Sequence, residues 1–313
     1  NILDDQARTK SGAEVDQLWT LAGEKNAAAL AINPDMHEAL LNWGLVLANQ
    51  AKTKSGPEAD RLFNQAGEKY AAALAINPDK HDALLNWGNA LANQAKAKSG
   101  PEADRLFSQA GEKYAAALAI NPNKYEALYN WGLALANQAK TKSGAEVDQL
   151  WTLAGEKYAA ALAINPDKHK ALYNWGLVLA NQAKTKSGPE ADRLFSQAGE
   201  KYAAALAINP DFNEAYDSWA GALLTQVEGK SREETEDLLR QAEKHARKAE
   251  SLAPGFGTYN LACIEARKGN EDSCRAWLIK CKEFGMLPSR EHLLQDPDLS
   301  SIRQRDWFQN FLD

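Results

Sequence analysis

The chain is poor in the residues that most often carry chemistry. Its 313 residues include only three cysteines, five histidines and two methionines. Cys263, Cys274 and Cys281 are odd in number and clustered, which argues against a disulfide framework and favours a reducing, intracellular setting. Positive charge is not in excess either. Lys and Arg total 36 against 42 Asp and Glu, a net charge of −6, so the basic surface that dominates nucleic-acid affinity is lacking. The longest apolar runs, such as Tyr70 to Ile76, are too short to span a bilayer. A Gly-rich phosphate loop, a G-x-S-x-G elbow and a metal-spaced His/Cys set are all missing. A non-enzymatic protein is expected, with no cofactor, no nucleic-acid partner and no membrane insertion.

What the sequence does have is repetition. Trp43, Trp87, Trp131, Trp175 and Trp219 stand 44 residues apart, and Asn-Pro pairs from Asn33 to Asn209 and Ser-Gly pairs from Ser11 to Ser187 keep the same step. A fixed period of this length marks a solenoid of one repeated supersecondary unit. AEVDQLWTLAGEK recurs at Ala13 and Ala145, and SGPEADRLF at Ser55 and Ser187, so three units were copied as a block. Residues 1–10 align with Leu45 to Lys54. The chain is therefore expected to open inside a truncated repeat, as a fragment whose targeting signals lay further upstream. A catalytic domain in that upstream part would be a third functional reading, without support in these residues.

Each unit reads as two helices of about 18–20 residues, or about 30 Å. The first, about Lys80 to Lys98, carries Leu84, Trp87, Gly88, Leu91, Ala92 and Ala95 at three- and four-residue steps, with Asp79 as its expected N-cap. Ser99-x-x-Glu102 reads as a capping box for the second, about Pro101 to Ile120, and the motif recurs at Ser11, Ser55, Ser143, Ser187 and Ser231. Ala103, Phe107, Ala110, Tyr114, Ala117 and Leu118 face inward, and Asn121-Pro122 ends the helix.

W-G-x-x-L, then A-x-x-x-Y-x-x-A-L, then a helix-ending N-P, resemble the tetratricopeptide repeat (TPR), stretched by about ten residues over its usual length of about 34. The resemblance covers nearly the whole chain. It implies an all-α fold: a right-handed α-solenoid of antiparallel helix pairs with a C-terminal capping segment. The expected organisation is the end of a truncated repeat helix at 1–10, tandem 44-residue repeats over 11–254, an ordinary-length pair at 255–285 and a cap at 286–313, similar to the tails that close bacterial TPR proteins.

The resemblance also implies a concave groove lined by the first helices. Its candidate residues are Leu41, Asn42 and Leu45; Leu85, Asn86 and Asn89; Tyr129, Asn130 and Leu133; and Tyr173, Asn174 and Leu177. Lys52, Lys96, Lys140 and Lys184 fall toward one rim. Asn42, Asn86, Asn130 and Asn174 form a ladder suited to a ligand backbone or to bonding between repeats. Asn49, Asn93, Asn137 and Asn181 form a second ladder. The tryptophans read as core, the Lys-x-Lys turns as a solvated edge, His37, His81 and His169 as surface, and the cysteines as core thiols. The expected function is a scaffold that binds a peptide or helical segment of another protein. The alternative is a structural, self-associating solenoid.

Overall fold

A computed structural model of the protein describes residues 13–312. The expected end of a truncated helix at residues 1–10 and the capping motif at Ser11 lie outside them. Among the described residues every regular element is helical. The helices are α1 (Ala13–Ile32), α2 (His37–Ala51), α3 (Gly56–Ile76), α4 (His81–Ala95), α5 (Gly100–Ile120), α6 (Tyr125–Ala139) and α7 (Ala145–Ile164), followed by α8 (His169–Ala183), α9 (Gly188–Ile208), α10 (Asn213–Gln226) and α11 (Arg232–Leu252). Then come α12 (Thr258–Arg267), α13 (Glu271–Glu283), α14 (Arg290–Gln295), a short 3₁₀ turn at Pro297–Leu299, and α15 (Asp306–Leu312). Two compact units divide at Asn165 and Pro166. In the first, α2 packs on α3, α4 on α5 and α6 on α7; in the second, α8 packs on α9, α10 on α11 and α12 on α13. No helix among the described residues is long and apolar enough to cross a membrane.

Within each 44-residue repeat the two helices are unequal, 15 residues in α4 and 21 in α5, rather than equal as the pattern suggested. The first stops at Ala95 because the amides after Lys96 turn back tightly, Ala97 N–H to the Gln94 carbonyl and Lys98 N–H to the Ala95 carbonyl. Asp79 is not the N-cap of α4. It sits in the preceding turn, where its amide donates to Asn77 Oδ1 at 3.2 Å, and Lys80 takes the cap position without a side-chain bond. Asn33, Asn77, Asn121 and Asn209 thus each close an Asx turn as well as ending a helix.

The capping box forms at Ser231, where the Ser231 hydroxyl accepts from Glu234 N–H and Glu234 accepts from Ser231 N–H. It does not form at Ser55, Ser99 or Ser187, and at Ser143 the cap position falls on Gly144. The difference is the next residue. Gly56, Gly100 and Gly188 enter their helices with φ of +58 to +59°, a left-handed step only glycine takes cheaply, and this turns the serine away from the first-turn amides. The glutamate finds another partner: Glu102 lies 3.3 Å from Lys98. After Ser231 comes Arg232, and the geometry of the box is restored.

A second module holds each pair together, made of residues 26 apart. Tyr70, Tyr114, Tyr158 and Tyr202 are at most 1% exposed. Their rings lie flat on Gly44, Gly88, Gly132 and Gly176, so close that a Cβ there would stand 2.6 to 2.8 Å from the ring. One residue earlier, Lys69, Lys113, Lys157 and Lys201 set their ammonium groups 3.8 to 4.0 Å over Trp43, Trp87, Trp131 and Trp175. A Lys-Tyr dipeptide therefore covers a Trp-Gly dipeptide, and each cation over an indole face adds about 0.5–1 kcal/mol. The tryptophans are half-buried, not the fully enclosed core their period suggested. In the last long repeat the dipeptides are His245-Ala246 and Trp219-Ala220. His245 stacks on Trp219 at 4.0 Å, and Ala220 and Ala246 are both fully buried.

Successive repeats are tied by the Lys-x-Lys turn. Its second lysine donates to an aspartate of the preceding repeat: Lys54 to Asp16 at 2.6 Å, Lys98 to Asp60 at 2.7 Å and Lys142 to Asp104 at 2.6 Å; in the last long repeat, where the turn reads Glu228-Gly229-Lys230, Lys230 still reaches Asp192 at 2.5 Å. The bond from Lys98 holds the Asp60 carboxyl below its ordinary range, and the bond to Asp60 holds Lys98 above its own. This edge is a run of half-buried ion pairs rather than a purely solvated ridge.

Candidate functional site

The outward row of the first helices contains every candidate groove residue, but packing treats them unequally. Leu41 and Leu45 are half-buried and Asn42 is exposed. Leu85 is 7% exposed and belongs to the core around Tyr114 and Phe107, so the floor is closed there. Tyr129 stacks on Tyr125 at 5.8 Å and tilts against Tyr158 at 6.0 Å. In the second compact unit, Tyr173 meets Phe212 edge-on at 5.0 Å and its hydroxyl lies 3.1 Å from Ser218 Oγ. Both tyrosines are half-buried; Tyr129 packs within its own repeat, whereas Tyr173 joins its repeat to the next. Leu177 packs beside Tyr173 on the core of α8 and α9.

The asparagine ladder does not behave as one surface. Asn130 donates to Asn89 Oδ1 of the preceding repeat at 2.9 Å, which is the bonding-between-repeats alternative. Asn174 bonds to the Lys170 carbonyl of its own helix at 2.9 Å, while Asn42 points outward.

Three candidates are brought together. Asn89, Asn130 and Leu133 line a concave pocket of about 240 Å³, with Asn93, Asn137, Lys52 and Lys96 around it. Tyr114, read from the sequence as core alone, reaches this pocket with its hydroxyl and donates to Asn89 Oδ1 at 2.9 Å. The cause is one substitution. Leu45, Leu133 and Leu177 occupy the equivalent of Asn89, and among the described residues the hydroxyls of Tyr70, Tyr158 and Tyr202 have no hydrogen-bond partner. Where the leucine becomes Asn89, the tyrosine is satisfied and the floor turns polar. That exchange is visible in the sequence, although the position of its partner 25 residues on is not.

The residues read as inert stay apart from this pocket. His37 lies 3.2 Å from Glu38, His81 lies 3.3 Å from Asp82, and His169 packs on Phe212. All three cysteines are buried free thiols, and burial pushes Cys274 up to about 12. Among the described residues one group has donor atoms close enough to suggest a metal site: Cys263, Asp296 and Asp298, within 4.8 Å of one another. Protein donors already hold its carboxylates. Tyr259 donates to Asp296 Oδ2 at 2.6 Å, and Arg267 bonds to Asp298. The group fastens the C-terminal tail to α12.

The fold matches solved TPR proteins. A tetratricopeptide repeat protein from Parabacteroides merdae is similar at a TM-score of 0.55 and 14% identity, over 90% of this chain and 92% of that one. PilW, a type IV pilus biogenesis factor, gives 0.54 at 17% identity over 84% and 97%. PilF from Pseudomonas aeruginosa gives 0.53 at 16% over 80% and 96%. No curated protein sequence matches. The family model of the plant specific mitochondrial import receptor subunit TOM20 matches residues 18–124, 82–143 and 104–218, overlapping placements that together span more than half of the sequence. By its repeats and its fold, the chain belongs to the tetratricopeptide-repeat-like α-solenoids, in the family of that TOM20 model.

Proposed function

We propose that the protein is a non-enzymatic interaction scaffold that holds a peptide or helical segment of another protein along the outward row of its first helices. The observation that carries this reading is the pocket of Asn89, Asn130 and Leu133: a concave, mixed polar and apolar lining on rigid helices. A preorganised surface loses little entropy on binding, so modest contacts repeated along it suffice. The receptor role named in the matched family, and the fold shared with other TPR proteins, support binding rather than catalysis. The proposed contacts are Leu45, Asn89, Asn130 and Leu133, with Leu41, Asn42 and Asn86 beside them. Tyr129 is proposed beside these contacts in the first compact unit, and Tyr173, Asn174 and Leu177 as a strip within the second, although both tyrosines also serve packing.

For that reason a Tyr129→Ala, Tyr173→Ala variant reads stability as well as capture, and Leu133→Glu is the sharper test. Leu133 is half-buried and lines the pocket, so helicity measured by circular dichroism should hold. A partner captured by the wild type should be lost from the variant. Equal capture by both would refute this placement of the site. Recovery of the bait alone, with size rising with concentration in light scattering, would favour the self-associating solenoid instead.

A further inference from the structure

At three outward positions α10 departs together from the helix that opens the preceding repeat. Where α8 carries Leu177, Asn181 and Lys184, α10 carries Gly221, Thr225 and Glu228, each 44 residues on. A bulky group, a carboxamide and a cation give way to no side chain, a hydroxyl and a carboxylate. These residues line a pocket of about 370 Å³ within the second compact unit, walled also by α12 and the C-terminal tail. A Cβ added at Gly221 would meet nothing nearer than Asn260 Oδ1, at 3.5 Å, so the missing leucine leaves the space open. The volume lies at the lower end of the roughly 300–1,000 Å³ of small-molecule sites and fits one long side chain.

Two acidic residues of its wall are engaged by the protein. Tyr259 donates to Asp296 Oδ2 at 2.6 Å, with His292 3.4 Å from the same oxygen, and Arg267 bonds to Asp298. Asn260 gives both amide hydrogens to Asp217, at 3.0 Å to the carbonyl and 2.6 Å to the carboxylate, and the Thr225 hydroxyl donates to the Gly221 carbonyl at 3.0 Å. What Asn260 and Thr225 present to a ligand is therefore oxygen lone pairs. Glu228 adds an exposed carboxylate that forms no ion pair among the described residues. Burial holds the Asp298 carboxyl above its ordinary range, and the carboxylates of Asp296 and Glu228 push the same way against Arg267, so negative charge is in local excess. Lys184 also lines the pocket but is exposed. The half-buried ring of Tyr259, anchored through its hydroxyl, adds an aromatic face. Acceptors, a free carboxylate and a ring suit a planar, positively charged group that only donates, and a guanidinium is such a group.

We infer that this pocket takes an arginine side chain of a partner protein, its guanidinium against Glu228, Asn260 Oδ1 and the face of Tyr259, and its methylenes on Leu224 and Pro297. The inference rests on the scaffold reading above and specifies one residue of the bound segment.

The test is fluorescence anisotropy with a labelled Gly-Ser peptide carrying one arginine, and its counterpart carrying neutral, isosteric citrulline, at low and moderate salt. The arginine peptide should bind at least about fivefold more tightly, with the gap narrowing as salt rises. Glu228→Gln should abolish the preference, and so should Gly221→Leu, which fills the space; circular dichroism checks that both variants are folded. Glu200→Gln, the same change in net charge at an exposed position of α9, should preserve it. Lys184→Gln should widen it, because it removes a like charge from the lining. Equal binding of the two peptides by the wild type, equal loss in Glu228→Gln and Glu200→Gln, a preference kept by Gly221→Leu, or a preference narrowed by Lys184→Gln would each overturn the inference. Leu133→Glu keeps the two readings distinct. Partner capture lost there, while the wild type binds both peptides alike, sinks the arginine pocket and leaves the scaffold standing. Capture unchanged there, with the arginine preference intact, refutes the groove placement and leaves the pocket.

Discussion

Gly88→Ala sets two effects of opposite sign against each other. In a helix interior alanine is favoured over glycine by about 1 kcal/mol. At Gly88 the new Cβ would lie 2.7 Å from Tyr114 Cε1 and 2.9 Å from Cδ1, where carbon atoms prefer about 3.5–4.0 Å. The ring must move by nearly an ångström, and it has nowhere to go: Tyr114 is 1% exposed and its hydroxyl is bonded to Asn89. Overpacking of this kind costs about 1–3 kcal/mol. The clash should win, with a net loss of up to about 2 kcal/mol by these figures. Tyr114→Ala alone should cost about 3–5 kcal/mol through the cavity it leaves. In that background Gly88→Ala meets no ring, so it should turn stabilising by up to about 1 kcal/mol. The cycle therefore predicts a coupling of about 1–3 kcal/mol. The chain already contains the paired exchange, since Ala220 stands opposite Ala246, both fully buried. Guanidinium unfolding followed by circular dichroism would give the four midpoints, compared at constant slope because repeat arrays depart from two-state behaviour. A Gly88→Ala midpoint above that of the wild type, or additive effects around the cycle, would refute the reasoning.

Tyr114→Phe should cost about 1 kcal/mol because it removes a made hydrogen bond, whereas Tyr158→Phe should be neutral or slightly stabilising; equal unfolding midpoints for the two variants would contradict the role given to Asn89. Burial lowers the His245 imidazole to about 4, against about 6.5 in the unfolded chain. Folding therefore favours the neutral ring, and its contribution is complete above about pH 6.5 and lost as the pH falls toward about 4. Over that window the wild type should lose about 1–2 kcal/mol more than His245→Gln, after allowing for the partial exposure of the ring. Parallel pH curves for the two proteins would remove His245 as the cause. Ser99→Ala should change thermal stability little, while Ser231→Ala should lower it by about 1 kcal/mol, because only the second serine caps its helix.

The period, the helix pairs and the inward face of the second helix were legible because 44-residue spacing and three- to four-residue steps encode them directly. Ala103, Phe107, Ala110, Tyr114 and Ala117 are all buried. The capping boxes were misread because S-x-x-E fixes residue types and not the backbone, and Gly100, which reverses the entry, lies inside the motif. Parts of the pocket were legible: Asn89, Asn130 and Leu133 line it together with Lys96, Asn93 and Asn137 of the second ladder. Their convergence was not, since it depends on the Tyr114 hydroxyl crossing to another helix. Leu85 and Tyr173 looked like open floor because a surface row and an inter-repeat seam have the same helical spacing. Only packing against Phe107 or Phe212 tells them apart.

Four ion pairs between repeats join a lysine to an aspartate 38 residues before it, and near-identical copies make those partners interchangeable. An in-frame deletion or duplication of 44 residues brings the same lysine to the same aspartate, the same Lys-Tyr onto the same Trp-Gly. The array therefore has no preferred number of copies written into its joints, and unequal recombination can lengthen or shorten it while every seam closes as before. What such an event changes is the placement of singular residues. Among the described residues an asparagine stands at this repeat position only at Asn89, so losing or doubling that repeat would delete the polar pocket or give the chain two of them, leaving the scaffold around it intact.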